Sequence, residues 1–168
     1  MIYYITGGER SGKSRYAQEL ALQLSDNPVY IATSRVWDKD FEKRVNRHKN
    51  ERDERWTSIE EEKYISTTDI KGKVAVMDCV TLWLTNFYLD ARYDVEESLH
   101  AAKTEFEKLT EIDTTLIIIS NEIGMGVHAE TEIGRKFVEL QGWINQHIAN
   151  RANKAVLMVS GIPVMIKE

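Results

Sequence analysis

Cysteine is almost missing from this chain: Cys79 is the single one in 168 residues. An internal disulfide framework is thereby excluded, and a reducing, cytoplasmic setting is expected. Long apolar runs are missing as well. No window approaches eighteen uninterrupted apolar residues, so no stable membrane insertion is expected. The N-terminus runs straight into an apolar stretch without a basic flank or cleavage site, so no signal peptide is expected. Excess positive charge is also lacking, because 22 Lys and Arg face 27 Asp and Glu for a net charge of −5. With no basic groove interleaved with aromatics, nucleic acid is not an expected partner. Nor is there an internal repeat, a low-complexity tract or a linker. A hydrophobic share of 42% and a charged share of 29% are ordinary globular values. One domain over residues 1–168 is therefore expected, with enough interior for a real core.

What is present begins at once. The apolar run Ile2-Tyr3-Tyr4-Ile5-Thr6 leads into Gly7-Gly8-Glu9-Arg10-Ser11-Gly12-Lys13-Ser14, which satisfies G-x-x-x-x-G-K-[ST] at every fixed position. Behind it, Arg15 to Leu24 reads as an amphipathic helix, with Tyr16, Leu20 and Leu24 on one face beside Ala17 and Ala21. Phosphates need backbone N–H groups close by, and a glycine-rich turn opening a helix supplies them together with a positive dipole end. In that arrangement Lys13 reaches the β- and γ-phosphates, and the Ser14 hydroxyl holds Mg²⁺. The chain reads as a nucleotide-binding P-loop protein.

Further short apolar runs follow at Val29–Thr33, Val74–Asp78, Leu116–Ser120 and Val156–Ser160, with Val164–Ile166 as a possible edge. Helices are expected between them. One spans Thr81 to Asp90, one lies behind an Asp94/Glu97 capping box, and a long one runs from about Thr131 to Ala152. Ser58 with Glu61 predicts the cap of a short helix through Ile65. The densely charged stretch from Asp38 to about Arg55 carries Phe41, Val45, His48 and Arg52 on one helical face. So little apolar surface needs an outside contact to hold it down. Strands alternating with helices predict a mainly parallel sheet flanked by helices, an α/β P-loop fold with its site at the carboxyl ends of the strands.

Four side chains stand out as chemically useful. Asp78 ends an apolar run, where P-loop enzymes put the second Mg²⁺-associated carboxylate. Cys79 beside it reads as a small buried filler. Glu122, just past another strand end, can orient or deprotonate an attacking group, or can simply begin a loop; both readings stay open. His48 lies among Lys43, Arg44, Arg47, Lys49 and Arg52. Such a run is commonly a solvated helix face. Alternatively, its cations can bind phosphates and keep the imidazole neutral, which a nucleophile requires.

An ordered set of motifs narrows these readings. The P-loop with Arg15, Tyr30-Ile31-Ala32-Thr33, Arg44-x-x-x-His48-Lys49 and Trp56-Thr57-x-x-Glu60 is followed by Asp78-Cys79-Val80-Thr81-Leu82-Trp83 with Asn86. Ser120-Asn121-Glu122-Ile123-Gly124, Arg135, Gly142 with Asn145-Gln146, and Ser160-Gly161-Ile162-Pro163 complete it. In this order and over nearly the whole chain, the set closely resembles the bifunctional adenosylcobinamide kinase / adenosylcobinamide-phosphate guanylyltransferase family of cobalamin biosynthesis. The resemblance implies a RecA-like fold, a homotrimer with sites between subunits, and two reactions on one nucleotide site. ATP or GTP first phosphorylates the aminopropanol hydroxyl of adenosylcobinamide; GMP from GTP is then moved onto that phosphate. It implies that His48 carries the GMP as a phosphoramidate; Lys13, from the P-loop, and Glu122, from its place at the rim, are the further catalytic candidates. It also implies that Gly7, Gly8, Glu9, Arg10, Ser11, Gly12, Lys13, Ser14, Thr33, Ser34, Arg35, Arg52 and Glu60 form the nucleotide site, with Ser14 and Asp78 at the metal. One departure is visible: Arg52 is followed by Asp53 where the family usually has proline, which should loosen the chain between His48 and Trp56.

Three other readings compete. A small-molecule P-loop kinase would use only half of this apparatus. A nucleotide switch would want Asn-Lys-x-Asp for guanine, but Asn153-Lys154 runs into Ala155-Val156. A RecA-like ATPase on DNA is disfavoured by the acidic balance.

Overall fold

The computed structural model describes residues 1–35 and 53–168. The charged helix expected around Phe41 and Val45, and with it His48 and Arg52, lies outside the described residues.

Among the described residues, seven strands form one sheet in the order β3-β2-β4-β5-β1-β6-β7. These are β1 (Ile2–Gly7), β2 (Val29–Ala32), β3 (Thr57–Glu60), β4 (Val74–Asp78), β5 (Thr115–Asn121), β6 (Lys154–Val159) and β7 (Ile162–Lys167). All neighbours pair in parallel except β7, which returns antiparallel along β6 as the edge. The α-helices among the described residues are α1 (Lys13–Leu24), α2 (Val80–Asp90), α3 (Val95–Thr110) and α4 (Glu132–Arg151).

Because strand side chains alternate, each central strand feeds two separate cores. Ile2, Tyr4, Ile31, Met77 and Ile118 face α2, α3 and α4, against Trp83, Phe106, Leu140, Ile144 and Ile148. Ile5, Tyr30, Val76, Ile117 and Ile119 face α1, which presents Ala17 and Ala21. Both alanines are fully buried and Leu24 is largely exposed, so α1 sits on its small residues and brings its backbone close to the sheet. The cap expected at Asp94 forms, and Thr131 caps its helix as well. Asp94 accepts from the Glu97 N–H at 2.8 Å and Thr131 accepts from that of Gly134 at 3.0 Å.

One expectation is overturned. Residues 57–60 are not the start of a helix; they form edge strand β3. Thr57 N–H donates to Pro28 O and Glu61 N–H to Ala32 O, each at 3.1 Å, so the ladder with β2 outweighs the local capping signal. The Glu61 carboxylate instead accepts from the N–H groups of Lys63 and Tyr64 and shapes the turn into a short 3₁₀ segment, Ile65–Thr67.

Trp83 fastens α2 to that turn. Its ring is fully buried edge-on to Phe87, and Nε1 donates to Lys63 O at 2.8 Å. Trp83→Ala is expected to cost about 3–5 kcal/mol of stability. Trp83→Phe should cost less, about 1–3 kcal/mol, for the donor withdrawn from the Lys63 carbonyl. Urea unfolding checks both, and wild-type midpoints in both variants would contradict this docking of α2.

Candidate functional site

The sheet brings the ends of β1, β2, β4 and β5 to one rim, and the P-loop leaves β1 there. Its shape comes from backbone crowding. Gly7 has φ +152°, and a Cβ on it would lie 2.6 Å from Met158 O on β6 and 2.7 Å from Ser11 Oγ. Gly12 has φ +95°, and its Cβ would come within 3.3 Å of Gly161 Cα. The Ser160-Gly161 turn between β6 and β7 braces the loop from outside, with Gly161 N–H donating to Ser11 O at 2.9 Å.

Gly12 caps α1 without a side-chain bond, and the helix's first turn holds no acidic residue. Its free N–H groups and positive dipole end are therefore left for an anion. Lys13 is 7% exposed and folds back, its Nζ donating to Gly8 O at 2.6 Å. Burial lowers the pKa of this ammonium, opposed chiefly by the Glu9 carboxylate and then by Cys79 and Asp78.

Asp78 faces α1. The Ser14 hydroxyl donates to its Oδ2 at 3.0 Å, and the Tyr30 hydroxyl donates to the same oxygen at 2.7 Å. A serine hydroxyl and a carboxylate at the mouth of a phosphate loop are the hard oxygen donors that suit Mg²⁺. In the sequence Tyr30 stands in the ordered motif set but has no role of its own; there it reads as one more strand position. Only the β2–β4 register, which pairs Tyr30 with Val76 and Ala32 with Asp78, puts it on the face of this carboxylate. Its ring meets Trp56 edge-on at 6.1 Å.

The other candidate residues divide by position. Glu9 and Arg10 are exposed at the loop tip, Arg10 with φ 53°. Thr33 is fully buried; its Oγ1 donates to Cys79 O and accepts from Cys79 N–H, both at 2.8 Å. Thr33 N–H donates to Asp78 O at 3.1 Å, and Asn86 Nδ2 donates to Thr33 O at 2.8 Å. Thr33 thus acts on the site by fixing the Asp78-Cys79 backbone. The Cys79 thiol is buried, which pushes its pKa up to about 12 with help from Asp78.

Ser34 is half-buried. Arg35 spans Glu62 at 2.6 Å and Asp90 at 3.0 Å. Its hydrogen bonds, with those of Lys63, hold the Asp90 carboxyl down at about 2. Glu60 ends β3 on the surface. Glu122 donates its N–H to Gly7 O at 3.0 Å, and its Oε1 accepts from Gly124 N–H at 2.7 Å. Gly7 to Ser14, Asp78 and Glu122 are thus gathered at one rim, whereas Arg35 is engaged by the acidic pair beside the end of α2.

A family model described as "Cobinamide kinase / cobinamide phosphate guanyltransferase" matches residues 3–166. The bifunctional adenosylcobalamin biosynthesis protein CobP of Pseudomonas aeruginosa is 35% identical over 170 residues, covering 97% of this chain and 95% of that protein. CobU of Escherichia coli, described in the same words, is 33% identical over 182 residues, covering 99% of this chain and 100% of that protein. Among solved structures, the flagellar accessory protein FlaH from Methanocaldococcus jannaschii superposes with a TM-score of 0.50 at 16% identity, covering 99% of this chain and 77% of that one. A second solved structure, an ATPase domain, gives 0.50 at 11% identity, covering 93% of this chain and 68% of that one. Both structural likenesses concern the fold alone.

The crowding at Gly7 has a direct test. Gly7→Ala is expected to abolish nucleotide binding and lower the melting temperature, because backbone of β6 blocks the added carbon. Gly8→Ala, where a Cβ would meet no atom within 4 Å, should bind as wild type. A fluorescent-nucleotide titration with a thermal melt decides; tight binding by Gly7→Ala would refute this packing.

Proposed function

The chain belongs to the cobinamide kinase / cobinamide phosphate guanyltransferase family, and from that membership and the rim geometry we propose that it carries out both reactions of that name. It phosphorylates adenosylcobinamide with ATP or GTP and then transfers GMP from GTP to adenosylcobinamide phosphate. The observation that carries the reading is the Ser14–Asp78 contact at the mouth of a P-loop whose helix end is left open to an anion.

In the first reaction the aminopropanol hydroxyl oxygen attacks the γ-phosphorus and the nucleoside diphosphate leaves. Lys13 turns from Gly8 O to the phosphates, and Glu122 is the group that receives the hydroxyl proton. Ser14 and Asp78 would hold Mg²⁺, which supplies charge neutralisation on the phosphate oxygens when bound. In the second, a neutral ring nitrogen of His48 attacks the α-phosphorus of GTP and pyrophosphate leaves. A phosphate oxygen of adenosylcobinamide phosphate then attacks that phosphorus, releasing His48 and giving adenosylcobinamide-GDP. Arg52 belongs to the phosphate-binding set in this reading, and the enzyme is a cytoplasmic homotrimer that binds no nucleic acid. Among the described residues no helix is long and apolar enough to cross a membrane.

Incubation with α-labelled GTP and Mg²⁺, followed by denaturation, tests the covalent step. Acid-labile, alkali-stable label is expected on the wild type and none on His48→Ala; Lys13→Ala should lose label through weakened triphosphate binding. A wild type that binds GTP but takes no label is a kinase without the transferase step.

Tyr30→Phe keeps the ring against Trp56 and removes one donor from Asp78. It is expected to raise the Mg²⁺ concentration for half-maximal nucleotide binding about tenfold or more, since a hydrogen bond to a charged group contributes about 1.5–3 kcal/mol. An unchanged magnesium titration would remove Tyr30 from the metal position.

A further inference from the structure

The interface between α4 and the sheet changes character as it nears the rim. Ile144 and Ile148 of α4 are fully buried in one apolar cluster with Ile2, Tyr4 and Ile118. Two residues past Ile118, on the same face of β5, the fully buried residue is Ser120. Gln141 and Asn145 meet it from α4, four residues apart and so on one helix face, and both are buried. The three side chains close a triangle. Ser120 Oγ donates to Asn145 Oδ1 at 2.6 Å; Gln141 Nε2 donates to that same oxygen at 2.9 Å and to Ser120 Oγ at 3.1 Å.

With two donors on its carbonyl oxygen, the Asn145 amide has one orientation left, and its Nδ2 donates to Asn121 O at 3.4 Å. That carbonyl belongs to the peptide whose N–H is that of Glu122, and this N–H donates to Gly7 O at 3.0 Å. The peptide carrying Glu122 is therefore gripped from two sides, by α4 through its oxygen and by the P-loop through its nitrogen. Tyr4, buried on the same face, registers the closeness of the carboxylate. Burial raises the pKa of its hydroxyl, the Thr6 and Ser120 hydroxyls oppose that rise, and the Glu122 charge adds to it.

Such a triangle is a poor way to stabilise a core. A buried hydrogen bond contributes little net, and apolar groups of the same shape often do as well. Gln141 Oε1, moreover, is buried with no partner among the described residues. What the triangle does supply is direction, by fixing one peptide plane at the rim.

We propose that Ser120, Gln141 and Asn145 position Glu122 for the kinase step, holding the Asn121–Glu122 peptide so that the carboxylate faces the hydroxyl whose proton it receives. This rests on the reading of Glu122 as that base and adds to it the residues that keep it in register with the P-loop. None of the three touches the reacting atoms; they are positioning residues.

The test is a cycle of variants around Glu122. Ser120→Ala/Gln141→Leu/Asn145→Leu removes the triangle as a unit and leaves an apolar interface, while the near-isosteric Gln141→Met only loosens it. Each is made in the wild type and in Glu122→Gln. Steady-state kinase assays on adenosylcobinamide are paired with nucleotide titration and thermal melts. Glu122→Gln is expected to lower kcat about a hundredfold or more, as for loss of a general base. The triple variant should lower kcat about tenfold or more, with the corrinoid KM and nucleotide affinity within about twofold. Its melting temperature should stay near that of the wild type. Gln141→Met should show the same pattern with a smaller fall. In the Glu122→Gln background neither should change kcat further by more than about twofold, because the group they aim is gone.

Wild-type kcat in the triple variant overturns the proposal. So does an equal fall in both backgrounds, which would make the triangle a general support. A loss of nucleotide affinity in place of kcat also overturns it and assigns the triangle to the P-loop. If the triple variant does not fold, Gln141→Met decides by the same cycle. Glu122→Gln with wild-type kcat removes the base and this inference together, while the kinase reading stands. A wild type that phosphorylates no corrinoid overturns the functional reading and this inference with it.

Discussion

The whole rim depends on how closely backbone packs around Gly7. β1 lies between β5 and β6, so the chain leaving its carboxyl end is confined from both sides. On one side Met158 O leaves no room for a side chain. On the other, Gly7 O accepts from Glu122 N–H and ties the β5 exit to the loop. The turn after β6 closes the remaining side through Ser11 O. A phosphate loop held by backbone in three directions is preorganised, and little ordering is left to be done when the anion arrives.

Asp78 is held in a comparable way. It stands on the α1 face of β4, where Ser14 and Tyr30 share one of its oxygens. Behind it the Thr33 hydroxyl bonds both backbone groups of Cys79, and Asn86 ties Thr33 O to Glu62 O. The carboxylate is thus set by contacts from α1, β2 and α2 together. The same network places Lys63 and Asp90 at the far end of α2, with Arg35 between the acids. The nucleotide rim and the ionic cluster are two ends of one rigid helix.

What the sequence made legible was what short-range physics decides. The P-loop, the Asp94 helix cap and the buried strands follow from glycine conformation, side-chain capping and unbroken apolar runs, each within a few residues. What it hid needed partners distant in the chain. β3 is held by the backbone of Pro28 and Ala32 and not by its own propensity, so a local capping signal misread it. Tyr30 gains its contact with Asp78 only through a register with residues almost fifty positions away. Glu122 remained two-valued because its backbone and its side chain do different things at the same rim. Arg135 stood in the ordered motif set with no role that its neighbours in sequence could give it; the geometry supplies one, a guanidinium closing over the two carbonyls before α4.

Cys79 gives the chain an internal clock. It is the sole thiol, 6% exposed, with ionisation displaced to about 12 by burial, and it sits between Asp78 and the first turn of α2. A thiol reagent can reach it only when that junction parts, since the thiolate is the reactive form and the folded state suppresses it. Its labelling rate therefore reports the opening of the Asp78 backbone, with no other sulfhydryl to confuse the signal. Ligands that seat at the rim should slow that clock in proportion to how firmly they close it.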